Sequence, residues 1–203
     1  PALAEVAEKL PDRVLLAPTL GDILHRHGQE YIAVGVGTTG NAYMQNPNAA
    51  LVGGATIHPE FCLPYSLHEE ITARFGPWPE MAVPNVASYA RAVDIMTEYV
   101  LTERKPVVSL IWSSDPDGSQ HAHGVGSDVA NRSIRQADKE FGRLLSWLKS
   151  SGASGETDIL VVSDHGYSTI IETVNVEALV RDAGFPPGSE PGGVVVAPNG
   201  GSV

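Results

Sequence analysis

Apolar and polar positions change rhythm along this chain, and the changes divide it into alternating helices and strands. A short amphipathic stretch, Pro1 to Leu10, is ended by Pro11-Asp12. Thr19-Leu20-Gly21-Asp22 has the form of a helix start, with Thr19 as N-cap and Asp22 three residues on, and the helix should close near Gly28. Tyr31 to Val36 predicts a strand, and Gly53 to Pro59 a short strand leading into a turn. Ser66-Leu67-His68-Glu69 has the capping-box pattern, and Phe75-Gly76-Pro77 ends the helix it opens. The stretch from Gly76 to Pro84, rich in Pro and aromatic residues, predicts an irregular surface segment.

A helix is expected from about Val86 to Arg104, with Val86, Ala90, Val93, Met96 and Val100 on one face and Pro106 blocking its continuation. Val107 to Trp112 predicts the next strand. Ser127 then caps a long helix whose stripe, Ala130, Ile134, Ala137, Phe141, Leu144 and Leu148, steps by four and three. Beyond a loop from Ser150 to Thr157, Ile159-Leu160-Val161-Val162 is an apolar run of four, the pattern of a strand buried on both faces. Asn175 caps a last short helix, Val176 to Ala183, closed by Gly184; a Pro- and Gly-rich loop follows, and Val194 to Ala197 begins a further strand. The order helix, strand, helix, strand, with long crossovers, predicts an α/β architecture with a mainly parallel sheet flanked by helices.

Composition narrows what such a fold can do. With 203 residues, 42% hydrophobic and 18% charged, the chain is long enough for one substantial core, and residues 1–203 are expected to form a single domain. The formal net charge of -11, from 24 acidic against 13 basic residues, argues against a binder of nucleic-acid duplexes. Cys62 is the only cysteine, so no disulfide forms within the chain. No apolar run approaches the length of a membrane span. Because the chain starts at Pro1 and stops at Val203 straight after an apolar run, it is expected to be a piece of a longer protein, whose open sheet edges would favour pairing with another copy.

The chemistry lies in two acidic-histidine clusters, each following a predicted strand. The first is Ser113-Ser114-Asp115-Pro116-Asp117-Gly118-Ser119-Gln120-His121-Ala122-His123-Gly124; the second is Ser163-Asp164-His165-Gly166. Ligands in open α/β sheets bind at the carboxyl ends of strands, and Gly166 would let the backbone turn sharply so that both its neighbours face a crevice. Asp117 and His121 are four positions apart, so a helical turn puts them on one side. Asp and His suit Zn, Mn and related divalent ions. Either cluster alone reads more readily as a hydrogen-bonded pair or a helix cap. Two of them, joined by one crossover helix, favour a metal centre built from Asp117, His121, Asp164 and His165. Each pair supplies only two ligands, fewer than a catalytic zinc site uses. Asp115 also reads as the opening of the turn at Pro116, and His123 as an exposed or outer residue.

Other candidates have blander readings. His25 and His27 stand two apart on a helix and read as solvated surface residues. His58 and His68 read as structural. The glycine-rich turn Gly35-Val36-Gly37-Thr38-Thr39-Gly40-Asn41 could cradle an anion, with Thr38 or Thr39 as a nucleophile, but a tight turn with a Thr or Asn N-cap is the preferred reading.

The residues from Pro116 to Gly124 resemble the Pro-Asp-x-x-Gly-His-x-x-Gly motif of type I phosphodiesterases and nucleotide pyrophosphatases, within the alkaline phosphatase superfamily. Ser163-Asp164-His165-Gly166 is similar to that superfamily's Ser/Ala-Asp-His-Gly motif, and the spacing through the long helix agrees. The match is strong from about Pro106 to Tyr167 and weaker from Thr19 to Pro47. It implies an alkaline phosphatase-like fold, here an incomplete copy, and two divalent ions, zinc first among the candidates. Asp117 and His121 would bind one ion, and Asp164 and His165 the other. The implied reaction is attack by a metal-activated Thr or Ser on phosphorus, then hydrolysis of the phospho-enzyme, with a small phosphate ester or nucleotide as substrate. The family's nucleophile, a further Asp and a final His have no convincing match here, so the chain alone is expected to be inactive and the catalytic residue stays unassigned. Gln120 departs from the family's Gly and is found before the His in phosphonoacetate hydrolases, which keeps carbon-phosphorus cleavage open. A binding module that has kept the fold without catalysis is the reading from another class. A phosphomutase of the same superfamily would share the Asp-His-Gly motif but not the Pro-Asp-x-x-x-His pattern.

Overall fold

In the computed structural model, which describes residues 17–196 together with Lys9 and Leu15, the run from Tyr31 becomes the central strand, β1 (Tyr31–Gly35). The amphipathic stretch expected at the amino terminus and the end of the strand expected at Val194 to Ala197 lie outside the described residues. Ahead of β1 stands α1 (Leu20–Arg26), whose capping box forms as expected: Asp22 N–H donates to Thr19 Oγ1 at 3.1 Å, and Thr19 N–H to Asp22 Oδ2 at 2.8 Å. Asn48 adds a bond to Asp22 at 3.1 Å, tying this helix start to the short helices after β1. These are α2 (Thr39–Gln45) and α3 (Ala49–Val52), followed by β2 (Ala55–His58) and β3 (Phe61–Leu63).

The sheet has four strands in the order β3-β2-β1-β4, with β4 spanning Val108–Trp112. β1 runs parallel to both β2 and β4, and only β2 and β3 are antiparallel. Register sets Val34 opposite Ile57 on one side and Ile111 on the other. Strand alternation sends Ile32, Val34 and Val36 to one face, where they join Ile57, Ile71, Ala92, Ile95, Met96 and Val100 in the main core. A smaller cluster, Ala42, Tyr43, Ala49, Phe61 and Leu63, packs beside β2 and β3. Each fully buried Ile or Val contributes about 1.5–3 kcal/mol by leaving water.

Two helices pack on the sheet, α4 (Leu67–Phe75) and α5 (Val86–Ile95), and α7 (Asp128–Ser151) packs against α5. Three local expectations change. Ser66 is in the helical region and makes no capping bond, so its side chain cannot fold back; α4 instead starts from turn bonds of Leu67 N–H to the Pro64 carbonyl and His68 N–H to that of Tyr65. The helix expected to run evenly from Val86 to Arg104 becomes a π-helix over Met96–Arg104, in which Thr102 Oγ1 reaches the Thr97 carbonyl, five residues back, at 2.6 Å. This wider turn brings Thr97 and Tyr99 inward beside Met96 and Val100, while Val86 and Ala90 are only half-buried. In α7 the buried positions are Ala130, Ser133, Glu140 and Leu148, and Ile134 faces outward.

The largest correction concerns Ile159 to Val162. The run is in no helix and pairs with no strand among the described residues, and Leu160, Val161 and Val162 are 84%, 77% and 77% exposed. An apolar run makes burial favourable, but a strand also needs a neighbour to take its backbone hydrogen bonds, and β4 has only β1 beside it among the described residues. Nor does Gly166 use a glycine's freedom, since it is not among the positive-φ glycines and a Cβ there would meet nothing.

The chain groups into two compact units, one up to Tyr167 and one from Ser168 onward. The second contains α8 (Val176–Asp182), with Asn175 Oδ1 accepting from Ala178 N–H at 3.0 Å, as expected, and a single bridge between Pro187 and Val194.

Candidate functional site

β1 and β4 point their carboxyl ends the same way, and the chain leaves β4 straight into the first cluster. Asp115 organises that exit. Its Oδ1 accepts from Ser119 N–H at 2.9 Å and Ser119 Oγ at 2.7 Å, so the carboxylate caps the start of α6 (Asp117–His123). Its Oδ2 accepts from Asn85 N–H at the start of α5. Asp115 therefore opens and anchors a turn, while His123 is exposed.

With α6 fixed, its 3.6-residue period puts Asp117 and His121 on one face, with Asp117 Oδ1 and His121 Nε2 3.6 Å apart. The second cluster arrives at the same carboxylate although no strand delivers it. His165 Nε2 lies 3.5 Å from Asp117 Oδ1 and 3.8 Å from Asp164 Oδ2. All four candidate side chains are therefore neighbours. Among the described residues, though, no group of three or more His, Cys, Asp or Glu side chains is placed to hold a metal ion. The donor types fit a divalent cation; the arrangement offers them as pairs. All four side chains are also substantially exposed, from 47% at Asp117 to 69% at His121.

The sequence reading missed Tyr167. Its hydroxyl donates to Asp117 Oδ1 and lies 3.3 Å from the Asp117 carbonyl oxygen. The ring stands edge-on to both imidazoles, with centroids 5.1 Å from His121 and 5.3 Å from His165. The phenol is pushed up to about 12, first by desolvation, then by its bond to Asp117 and the charges of Asp117 and Asp164. Its place directly after the Asp-His-Gly run is visible in the sequence, but nothing there links it to Asp117.

The remaining candidates are structural. Thr38 caps α2 by accepting from Asn41 N–H at 3.3 Å, as the turn reading expects. His58 is buried, with Nδ1 accepting from Glu60 N–H at 3.1 Å, so its Nε2–H is the proton donated to the Gly37 carbonyl at 3.0 Å. His68 Nε2 meets the Pro59 carbonyl at 3.2 Å, and His25 and His27 are exposed.

The paired Asp and His side chains lie beyond the carboxyl end of β4 in a mainly parallel sheet, where ligands bind in open α/β folds. Comparison with known proteins supplies the class. Residues 15–200 match the family model "Type I phosphodiesterase / nucleotide pyrophosphatase", and the chain belongs to that family. It is 24% identical over 136 residues to ectonucleotide pyrophosphatase/phosphodiesterase family member 5 of Homo sapiens, covering 66% of this chain and 27% of that protein. It is 27% identical over 86 residues to family member 7 of Mus musculus, covering 42% and 19%. The chain thus spans about a quarter or less of the curated relatives it matches. No solved structure matches it. No described helix is long and apolar enough to cross a membrane.

Proposed function

We propose that this chain contributes the metal-binding face of a phosphodiesterase or nucleotide pyrophosphatase that acts on a small phosphate ester or nucleotide. The observation that supports it is the approach of His121 and His165 to one oxygen of Asp117, with Asp164 alongside, in a chain of this family. Asp117 and His121 would hold one divalent ion and Asp164 and His165 a second, with zinc the best fit to carboxylate and imidazole donors. When bound, such a pair supplies Lewis-acid stabilisation of charge on a phosphoryl group.

Two protein donors per ion fall short of the three a catalytic zinc site uses, so the proposal requires further ligands, and the Ser or Thr nucleophile, from outside these four residues. The chain's own side chains have two tasks. The carboxylates Asp117 and Asp164 bring negative charge to the site, and the imidazoles of His121 and His165 offer ring-nitrogen lone pairs as donors. Asp115 keeps α6, and with it Asp117 and His121, at the end of β4.

The test joins this chain to the segments that supply the nucleophile and the remaining ligands and measures hydrolysis of an aryl phosphodiester with and without added zinc, alongside Asp164→Ala. Zinc-dependent activity lost in the variant supports the reading; activity that survives in the variant, or that ignores zinc and chelator, overturns it. Because Gln120 precedes His121, phosphonoacetate belongs in the same panel.

A further inference from the structure

The segment that brings Asp164 and His165 to the site lacks strand pairing, and every residue from Ser154 to Gly166 is exposed. Tyr167 is the first that is not. Its hydroxyl donates to Asp117 Oδ1, and its ring edge meets His121 and His165, so one side chain touches three of the four candidate ligands.

The contacts made by the imidazoles and by the phenol respond differently to a bound cation. An imidazole that ligates through Nε2 must turn its lone pair on that atom to the ion, so the approaches of His121 and His165 to Asp117 become approaches to the cation. The phenol has no such conflict. A carboxylate offers about four lone-pair sites, so Asp117 can ligate through one and still accept from the Tyr167 hydroxyl on another. Partners that hydrogen-bond a ligating carboxylate orient it, and losing one typically weakens metal binding about 10–100-fold.

We infer that Tyr167 is a positioning residue that acts through Asp117, holding the Asp164-His165 segment against α6 and setting the spacing between the two Asp/His pairs. This rests on the metal reading of those pairs. A merely structural tyrosine would need only its ring, which packs on both imidazoles; the inference assigns the work to the hydroxyl.

The experiment is a titration of the metal-free protein with cobalt(II), followed by visible absorption, for wild type, Tyr167→Phe and Asp117→Ala. The expected result is a ligand-field spectrum in wild type, binding about tenfold or more weaker with an altered spectrum in Tyr167→Phe, and loss of a site in Asp117→Ala. The thermal unfolding midpoint of the metal-free Tyr167→Phe protein should match wild type, since the change removes one oxygen from a partly exposed ring. Wild-type cobalt binding in Tyr167→Phe, with Asp117→Ala still impaired, overturns the role of the hydroxyl alone. Absence of cobalt binding in wild type overturns the metal reading and this inference with it.

Discussion

Asp117 Oδ1 and His165 Nε2 stand 3.5 Å apart, although one opens a helix and the other sits in a segment without helix or strand pairing. Two groups that serve one centre should not act independently. Once the nucleophile and remaining ligands are restored, Asp117→Ala and His165→Ala are each expected to lower kcat/KM on an aryl phosphodiester by at least about 100-fold, beyond the usual cost of losing an outer-shell partner. The double variant should be little worse than the worse single, because residues acting as a unit are strongly non-additive. Multiplying losses in steady-state assays would show that the two belong to separate functions.

His58 makes stability depend on pH. Burial is the main cause that lowers its pKa, opposed by the Gly37 carbonyl and the Glu60 charge, and the neutral ring already uses both nitrogens. The unfolded chain, with an ordinary histidine value of about 6.5, takes up a proton before the folded chain does. This contribution is therefore complete above about pH 6.5 and is lost as pH falls through that value toward the lower folded one. Urea midpoints at pH 7.5 and 5.5 should fall more for wild type than for His58→Gln; equal falls would remove His58 as the cause.

Ile57 is fully buried where β2 meets the main core. Ile57→Ala should cost about 2–5 kcal/mol by urea denaturation, as cavity-forming core changes do. A loss under about 1 kcal/mol would mean that the core collapses around the gap or is not packed as described.

Glu140 is 2% exposed inside the contact between α5 and α7. It accepts from Gln136 Nε2 at 2.7 Å and Arg143 Nη1 at 2.5 Å, while Arg143 also reaches Asp94 on α5. Arg143→Ala strands a buried carboxylate and should cost about 1–3 kcal/mol, toward the low end because Arg143 is 44% exposed and water screens the pair. Replacing both with leucine should cost less than the single change, because no buried charge is left. Chemical denaturation of the two variants decides it, and the opposite order would show that the pair itself stabilises the fold.

Much of this was legible in the sequence where a local rule and the tertiary outcome coincide. Thr19 and Ser127 cap helices because a β-region residue with a side-chain oxygen needs nothing further. Asp117 and His121 meet because helical spacing alone brings them together. Pattern failed where the outcome depended on partners. Ser66 has capping chemistry but the wrong backbone conformation. Ile134 fits the apolar period of α7, yet the neighbouring α5 meets a different strip that includes buried Glu140 and Ser133. Four apolar residues from Ile159 marked burial, but no sequence rule names the strand that would pair with them. Tyr167 went unread because no spacing rule links residue 167 to Asp117; only the folded chain does.

The central claim is that Asp117, His121, Asp164 and His165 form one metal centre, and an anomalous-scattering map from zinc-soaked crystals tests it most directly. The account predicts zinc peaks about 2.0–2.2 Å from carboxylate oxygens and imidazole nitrogens of these residues, with both pairs engaged. Zinc bound only elsewhere on the protein, or no zinc within coordinating distance of any of the four, would contradict it.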